Sequence, residues 1–145
     1  MDSPTSLGPQ QVRSWQEQTK RVAIEKGFAR TLMGRYRNVT KYFLSGQKMQ
    51  ALHGLRSAIN TPIQGGAADI VIAAMVKLYG SARLRELGWH LVHQVHDEVI
   101  LEGPAGSAGE ALELVREMME RPFEMELPLR VEVDAKMCDN WFEKN

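Results

Sequence analysis

Two hydrophobic periods alternate along the chain, and the switches between them mark out its elements. Over residues 9–26 the apolar positions recur at helical spacing, with Val12, Trp15, Thr19 and Val22 on one stripe. Pro9 suits the first helical position and Gly27 the stop. The period is then lost in "GFARTLMGRYRNV" (27–39), where Gly34 and the arginines around it predict a short hairpin or extended loop. From about Ser45 a second helical pattern runs through Met49, Leu52, Leu55 and Ile59. Pro62 is expected to interrupt it and open a third helix, with Ile63, Ala67, Ile70, Val71, Ala74, Met75 and Leu78 facing inward. Gly65 and Gly66 weaken that helix at its first turn by roughly 1 kcal/mol each relative to Ala. The compensation expected for them is close approach of something to the backbone.

Beyond Gly88 the pattern predicts a strand over 89–95, a turn at 96–98 and a return strand over 99–102, ended by Gly103 and Pro104. Ser107 and Glu110 then read as an S-x-x-E capping box, opening a helix whose stripe is Leu112, Val115, Met118 and Met119. In "LPLRVEVDAK" (127–136) Leu129, Val131 and Val133 alternate with Arg130, Glu132 and Asp134, as in a half-buried strand. The order predicts an α+β fold, helices packed on a small antiparallel sheet that includes a β-hairpin. No repeat, low-complexity tract or second domain is evident.

Composition fits one compact domain: 145 residues, 43% hydrophobic and 25% charged. Cys138 is the only cysteine, so no intramolecular disulfide forms and a reducing compartment is compatible. No apolar run approaches the ~20 residues of a membrane span, so no membrane partner is expected. The opening "MDSPTSLGPQ" carries an acid and no apolar stretch, unlike a signal or Arg-rich transit peptide. The net charge of zero hides an asymmetry. Residues 20–60 hold nine basic residues against Glu25 alone, a local charge of +8, while residues 61–145 carry −7. A basic surface of this kind meets phosphate or is simply solvated.

Three stretches carry candidate chemistry. In "QVHDEVILEGP" the tip of the predicted hairpin presents His96, Asp97 and Glu98 together. Adjacent carboxylates repel unless a cation neutralises them. Magnesium takes one or two carboxylates and completes its shell with water and phosphate oxygens. A solvated polar turn is the bland alternative. Zinc on His93, His96 and Asp97 is disfavoured, because strand residues three apart point to opposite faces. In "RSAINTPIQGG" Arg56, Asn60 and Gln64 recur at i, i+4 and i+8, one face of a continuous helix. Such donors suit minor-groove acceptors, and equally a polar helix surface with Asn60 as a cap. In "TLMGRYR" Arg35 and Arg37, two apart on an extended segment, would face a phosphate backbone together.

In combination, "RSAINTPIQGGAADI" followed about thirty residues later by "QVHDEVILEGP" resembles the C-terminal palm of family A DNA polymerases, the DNA polymerase I family. "GFARTLMGRYR" before and "VEVDAKMCDNW" after support it, and the wording is most similar to the plant and protist organellar branch. The resemblance leaves residues 1–8 unassigned and makes 9–145 a portion of the palm bearing the motif C hairpin. It implies a DNA-directed DNA polymerase that extends a primer from deoxynucleoside triphosphates in replication or repair. Asp97 would bind the catalytic magnesium ions, Glu98 would be the neighbouring auxiliary acid, and His96 would lie beside the primer terminus. Arg56, Asn60 and Gln64 would touch the primer–template minor groove, and Arg35 and Arg37 would lie near the duplex. A mitochondrial or plastid location is implied in the same way. Gly66 departs from the more usual Thr or Ser.

Motif A, D-Y-S-x-I-E-L-R, and motif B, the fingers helix that grips the triphosphate, do not occur in these residues. Two-metal chemistry clamps both the attacking and the leaving oxygen, and this chain supplies one side. The expectation is therefore a palm fragment, a split subunit whose partner chain carries motifs A and B, or a non-catalytic duplex-binding module or remnant. A single-subunit RNA polymerase is disfavoured because Glu98 follows the aspartate, as in the DNA enzymes.

Overall fold

A computed structural model describes residues 8–125, 127 and 130–140. Helix α1 spans Pro9–Lys26. Pro9 sets its first turn, and the Gln11 side chain accepts a hydrogen bond from the Gly8 N–H at 2.9 Å. Gly27 closes it in the left-handed conformation, its N–H returning to the Ala23 carbonyl. The predicted hairpin follows: β1 (Phe28–Arg30) pairs antiparallel with β2 (Tyr36–Asn38), Ala29 opposite Arg37.

Next come α2 (Thr40–Leu44), for which the sequence pattern held no expectation, and α3 (Lys48–Asn60), the helix expected from about Ser45. The Met49 and Leu52 side chains, expected inward, are exposed. The buried positions of α3 are Gly54, Ser57 and Ala58, one small-residue stripe. A Cβ on Gly54 would lie 2.7 Å from Tyr42 Cβ, so close backbone approach takes the place of large side chains here.

Pro62 does not end the helical run. It sits in a π turn, Thr61–Gly65, that leads directly into α4 (Gly66–Gly80). Proline has no N–H for an i−4 carbonyl and its ring crowds that carbonyl; a widened turn absorbs both without a break. The buried Thr61 hydroxyl donates to the Ser57 carbonyl at 2.7 Å. Ile63 and Ala67, expected inward, are exposed, whereas Ala74 and Leu78 are buried as expected.

The helical run Lys48–Gly80 is 33 residues long and holds a window of mean hydropathy 1.2, enough by length and composition to cross a membrane. Reading for unbroken apolar stretches missed this, because Arg56, Asn60, Gln64 and Asp69 punctuate it. Ser57, Thr61 and Asp69 are buried polar groups within the run.

Helix α5 (Ala82–Glu86) is capped by Ser81, whose hydroxyl accepts from the Leu84 N–H. Strands β3 (His90–Val95) and β4 (Glu98–Glu102) form the second hairpin. A short 3₁₀ turn, Ala105–Ser107, opens α6 (Ala108–Glu120). The expected capping box is not formed. The Ser107 hydroxyl instead accepts from Trp89 Nε1 at 3.0 Å and lies 3.0 Å from the Leu87 carbonyl, while Glu110 pairs with Arg83 at 2.6 Å. Both partners of the box serve tertiary contacts.

Residues 130–138 are not a strand, contrary to their alternating pattern; Leu129 lies outside the described residues. A half-buried strand needs a neighbour for its backbone groups, and these residues join neither sheet. The α+β class holds, with two separate two-stranded hairpins as its sheets.

The chain divides into two compact units, the first up to Asp69 and the second from Ile70. The first is built on Ala23, Ala29, Val39 and Ala58, with Tyr42 and Phe43 packed against them. The second is built on Leu78, Leu84 and Ala111, flanked by Trp89, Val99, Leu101, Leu114, Val115 and Met118.

Candidate functional site

In the first unit, Arg56, Asn60 and Gln64 are all exposed along one helical run. Four residues overshoot a 3.6-residue turn by about 40°, so a row at i, i+4 and i+8 drifts around a regular α-helix. A π turn takes more residues per revolution and holds Gln64 closer to the line through Arg56 and Asn60.

Arg35 and Arg37 do not act as a pair. Arg37 is exposed on β2 and makes no ion pair among the described residues. Arg35 turns to Asp69, an acid that sequence reasoning passed over. Asp69 is 4% exposed. Its Oδ1 accepts from Arg35 Nε at 2.6 Å and lies 2.6 Å from Arg35 Nη2 in an ion pair, and its Oδ2 accepts from the Met33 N–H at 2.8 Å. Arg35 Nη2 also donates to the Gly65 carbonyl at 3.1 Å. Burial alone would raise the Asp69 pKa; the nearby Thr31 hydroxyl, the Met33 N–H and the Arg35 guanidinium outweigh it and hold the carboxyl below its ordinary value. The Thr31 hydroxyl itself stops short of hydrogen-bonding geometry. The signal for Asp69 was in the sequence: it is the only acid between Lys48 and Gly80.

The close approach expected at the glycines is the same loop. A Cβ on Gly65 would collide with Thr31 Cγ2, whereas one on Gly66 would rest 3.4 Å from Leu32 Cβ, in ordinary contact. Elsewhere in this unit a groove of about 450 Å³ is lined by Trp15, Val22, Lys26, Phe28, Arg30 and Pro62, and none of the anticipated site residues borders it.

In the second unit Asp97 stands at the tip of the β3–β4 hairpin, as predicted. The turn is tighter than expected: Val95 pairs with Glu98, so His96 and Asp97 are its two residues and Glu98 opens β4. His96 has φ 54°, a left-handed conformation usually filled by glycine at the first position of such turns. A non-glycine residue there costs on the order of 1–2 kcal/mol. The Gln94 side chain donates to the His96 carbonyl across the turn.

A bulge at Val92 sets which residues share a face. Leu91 opposes Leu101 and His93 opposes Ile100, so the extra residue puts Leu91 and His93 on opposite faces despite their spacing of two. Leu101 and Val99 pack on the core, and His93 with Ile100 takes the other face. Among the described residues no three His, Cys, Asp or Glu side chains gather as a metal cluster, so His93, His96 and Asp97 form no zinc-type set. Asp97 and Glu98, both exposed and adjacent in the chain, fit an ion that takes one or two protein carboxylates and leaves the rest of its shell to water and substrate.

The chain is 49% identical over 135 residues to DNA polymerase I B, chloroplastic/mitochondrial, of Arabidopsis thaliana. It is 43% identical over 132 residues to the thermostable DNA polymerase I of Thermus filiformis. These matches cover 92% and 91% of the chain, but the chain spans only 13% and 15% of those relatives. Among solved structures it matches the POL domain of Pol1 from M. smegmatis in complex with DNA primer-template and dNTP, with a TM-score of 0.79 and 32% identity, covering 87% of this chain and 22% of that one. DNA polymerase family A matches over residues 9–143, and the chain belongs to that family.

Proposed function

We propose that this chain is part of the palm of a DNA-directed DNA polymerase, binding primer–template DNA and contributing carboxylate ligands for nucleotidyl transfer. The observation that carries the reading is the exposed row of Arg56, Asn60 and Gln64 on one helical run, in a chain that matches the family from residue 9 to 143. Purine N3 and pyrimidine O2 occur in the minor groove of every correct pair, so donors of this kind read shape more than sequence. Arg37 and the other basic residues of 20–60 supply attraction to phosphate, and Arg35 supplies less because Asp69 already pairs its charge.

At the hairpin tip, Asp97 with Glu98 beside it would hold magnesium, which when bound supplies the charge that stabilises phosphoryl oxygens during transfer. His96, at the turn, is assigned to the neighbourhood of the primer terminus. Deoxynucleoside triphosphates are the proposed co-substrate, and a second polypeptide bearing motifs A and B is a proposed partner. The printed names of the plant relatives support a mitochondrial or plastid location.

The reading is tested by titrating a fluorescent primer–template at several salt concentrations. Each phosphate neutralised contributes a slope of about −0.9 in log affinity against log salt. Arg37→Ala is expected to flatten the slope by about that amount, and Arg35→Ala by clearly less. Salt-independent affinity would refute the electrostatic account. Salt-dependent binding insensitive to Arg56→Ala, Asn60→Ala and Gln64→Ala would leave only nonspecific attraction.

A further inference from the structure

Asp69 has no place in the function above, yet its carboxylate is almost fully buried and accepts from one backbone N–H and an arginine at once. Its partners come from residues 33 and 35, in the loop joining β1 to β2. The Arg35 guanidinium then reaches the Gly65 carbonyl, at the residue next to Gln64. Thr31 of the same loop packs so closely on Gly65 that no Cβ fits there. One carboxylate thus ties a loop to the π turn at the point where the helix departs from regular geometry. A π turn is rare and occurs mostly as a single-turn irregularity within an α-helix, and among the described residues the atoms outside its own turn that lie nearest a Cβ added at Gly65 are those of Thr31 in this loop.

We propose that Asp69 is a positioning residue for duplex binding: through Arg35 it clamps the 31–35 loop onto the π turn and so fixes the direction of Gln64. The inference rests on the reading of Gln64 as a groove contact. Asp69 touches no DNA and acts only by holding its neighbour.

The test is a double-mutant cycle on primer–template affinity with the full chain, using Asp69→Asn, Gln64→Ala and both together, each checked for folding by circular dichroism. Each single change is expected to weaken binding about three- to tenfold. The double variant should match Gln64→Ala to within about twofold, because a misplaced Gln64 and an absent one are equivalent. Losses that multiply would overturn the proposal, as would an Asp69→Asn protein that binds like wild type. If Gln64→Ala has no effect, the groove reading fails and the inference falls with it; if Gln64→Ala weakens binding but Asp69→Asn does not, only the clamp is refuted. Should Asp69→Asn not fold, Arg35→Lys serves instead. It keeps the charge but cannot span Asp69 and the Gly65 carbonyl together, so its salt slope should stay unchanged while its loss is absorbed by Gln64→Ala.

Discussion

A carboxylate with water removed from it must be answered by donors, and Asp69 is answered by a loop more than thirty residues earlier in the chain. The sequence pointed to Arg35 but paired it with Arg37 on the argument that alternate residues of an extended segment share a face. The loop turns before β2 begins, so that rule did not apply to Arg35, while it still describes Arg37. Asp97 was legible because turn chemistry and apolar flanks are local signals; the buried ion pair was not, because it joins segments that only the folded chain brings together. The pairing has a pH consequence. With the folded pKa of Asp69 held down, its stabilisation is complete above the ordinary aspartate value of about 3.9 and is lost as pH falls through the lower folded value. The stability gap between wild type and Asp69→Asn, measured by urea denaturation, should therefore be widest near neutrality and close below about pH 4. A gap that widens in acid would reverse the sign of the argument. At neutral pH Asp69→Ala should cost about 1–3 kcal/mol, since the Met33 N–H loses its acceptor.

Among the elements, those whose cues are local were read well. Helix α1 runs over the predicted residues because a proline starts it and a left-handed glycine stops it; 27–39, expected as a short hairpin or extended loop, holds a hairpin, and the strand and turn signals over 89–102 mark the other. Elements that depend on a neighbour were read poorly. Residues 130–138 have a strand's alternation but no strand beside them, and α3 hides small residues where large ones were expected. The two glycines of the π turn region separate these effects. Gly65→Ala should destabilise the protein by about 1–3 kcal/mol, because the new methyl collides with a β-branched side chain that is itself packed beside Asp69. Gly66→Ala should stabilise it by up to about 1 kcal/mol, because its added methyl finds ordinary contact and glycine is a poor helix residue. Thermal melts of the two variants side by side check this. Equal shifts would mean that the 31–32 loop does not pack on the turn.

For the whole molecule the decisive quantity is how much preorganised charge it can bring to a transferring phosphoryl group. In the proposed function the basic stretch over 20–60 would attract a duplex and the acidic tip would offer carboxylates to magnesium, but attraction alone binds reactants without favouring the transition state, and one pair of carboxylates supplies only part of a two-metal clamp. Motif A would bring the second bridging carboxylate, and motif B the cations that steady the departing pyrophosphate; neither occurs in these 145 residues. Losing a single preorganised donor typically costs on the order of 10²–10³ in rate, and several are absent together. The 145-residue polypeptide alone is therefore expected not to extend a primer in the presence of magnesium and all four deoxynucleoside triphosphates. Incorporation that Asp97→Asn abolishes would overturn this, since another segment of the chain would then have to supply the missing carboxylate. Incorporation that appears only when a polypeptide bearing motifs A and B is added, and is again lost in Asp97→Asn, would instead make this chain one subunit of a split polymerase. That last control decides the matter, because it separates a tip that contributes ligands from a chain that merely holds the DNA.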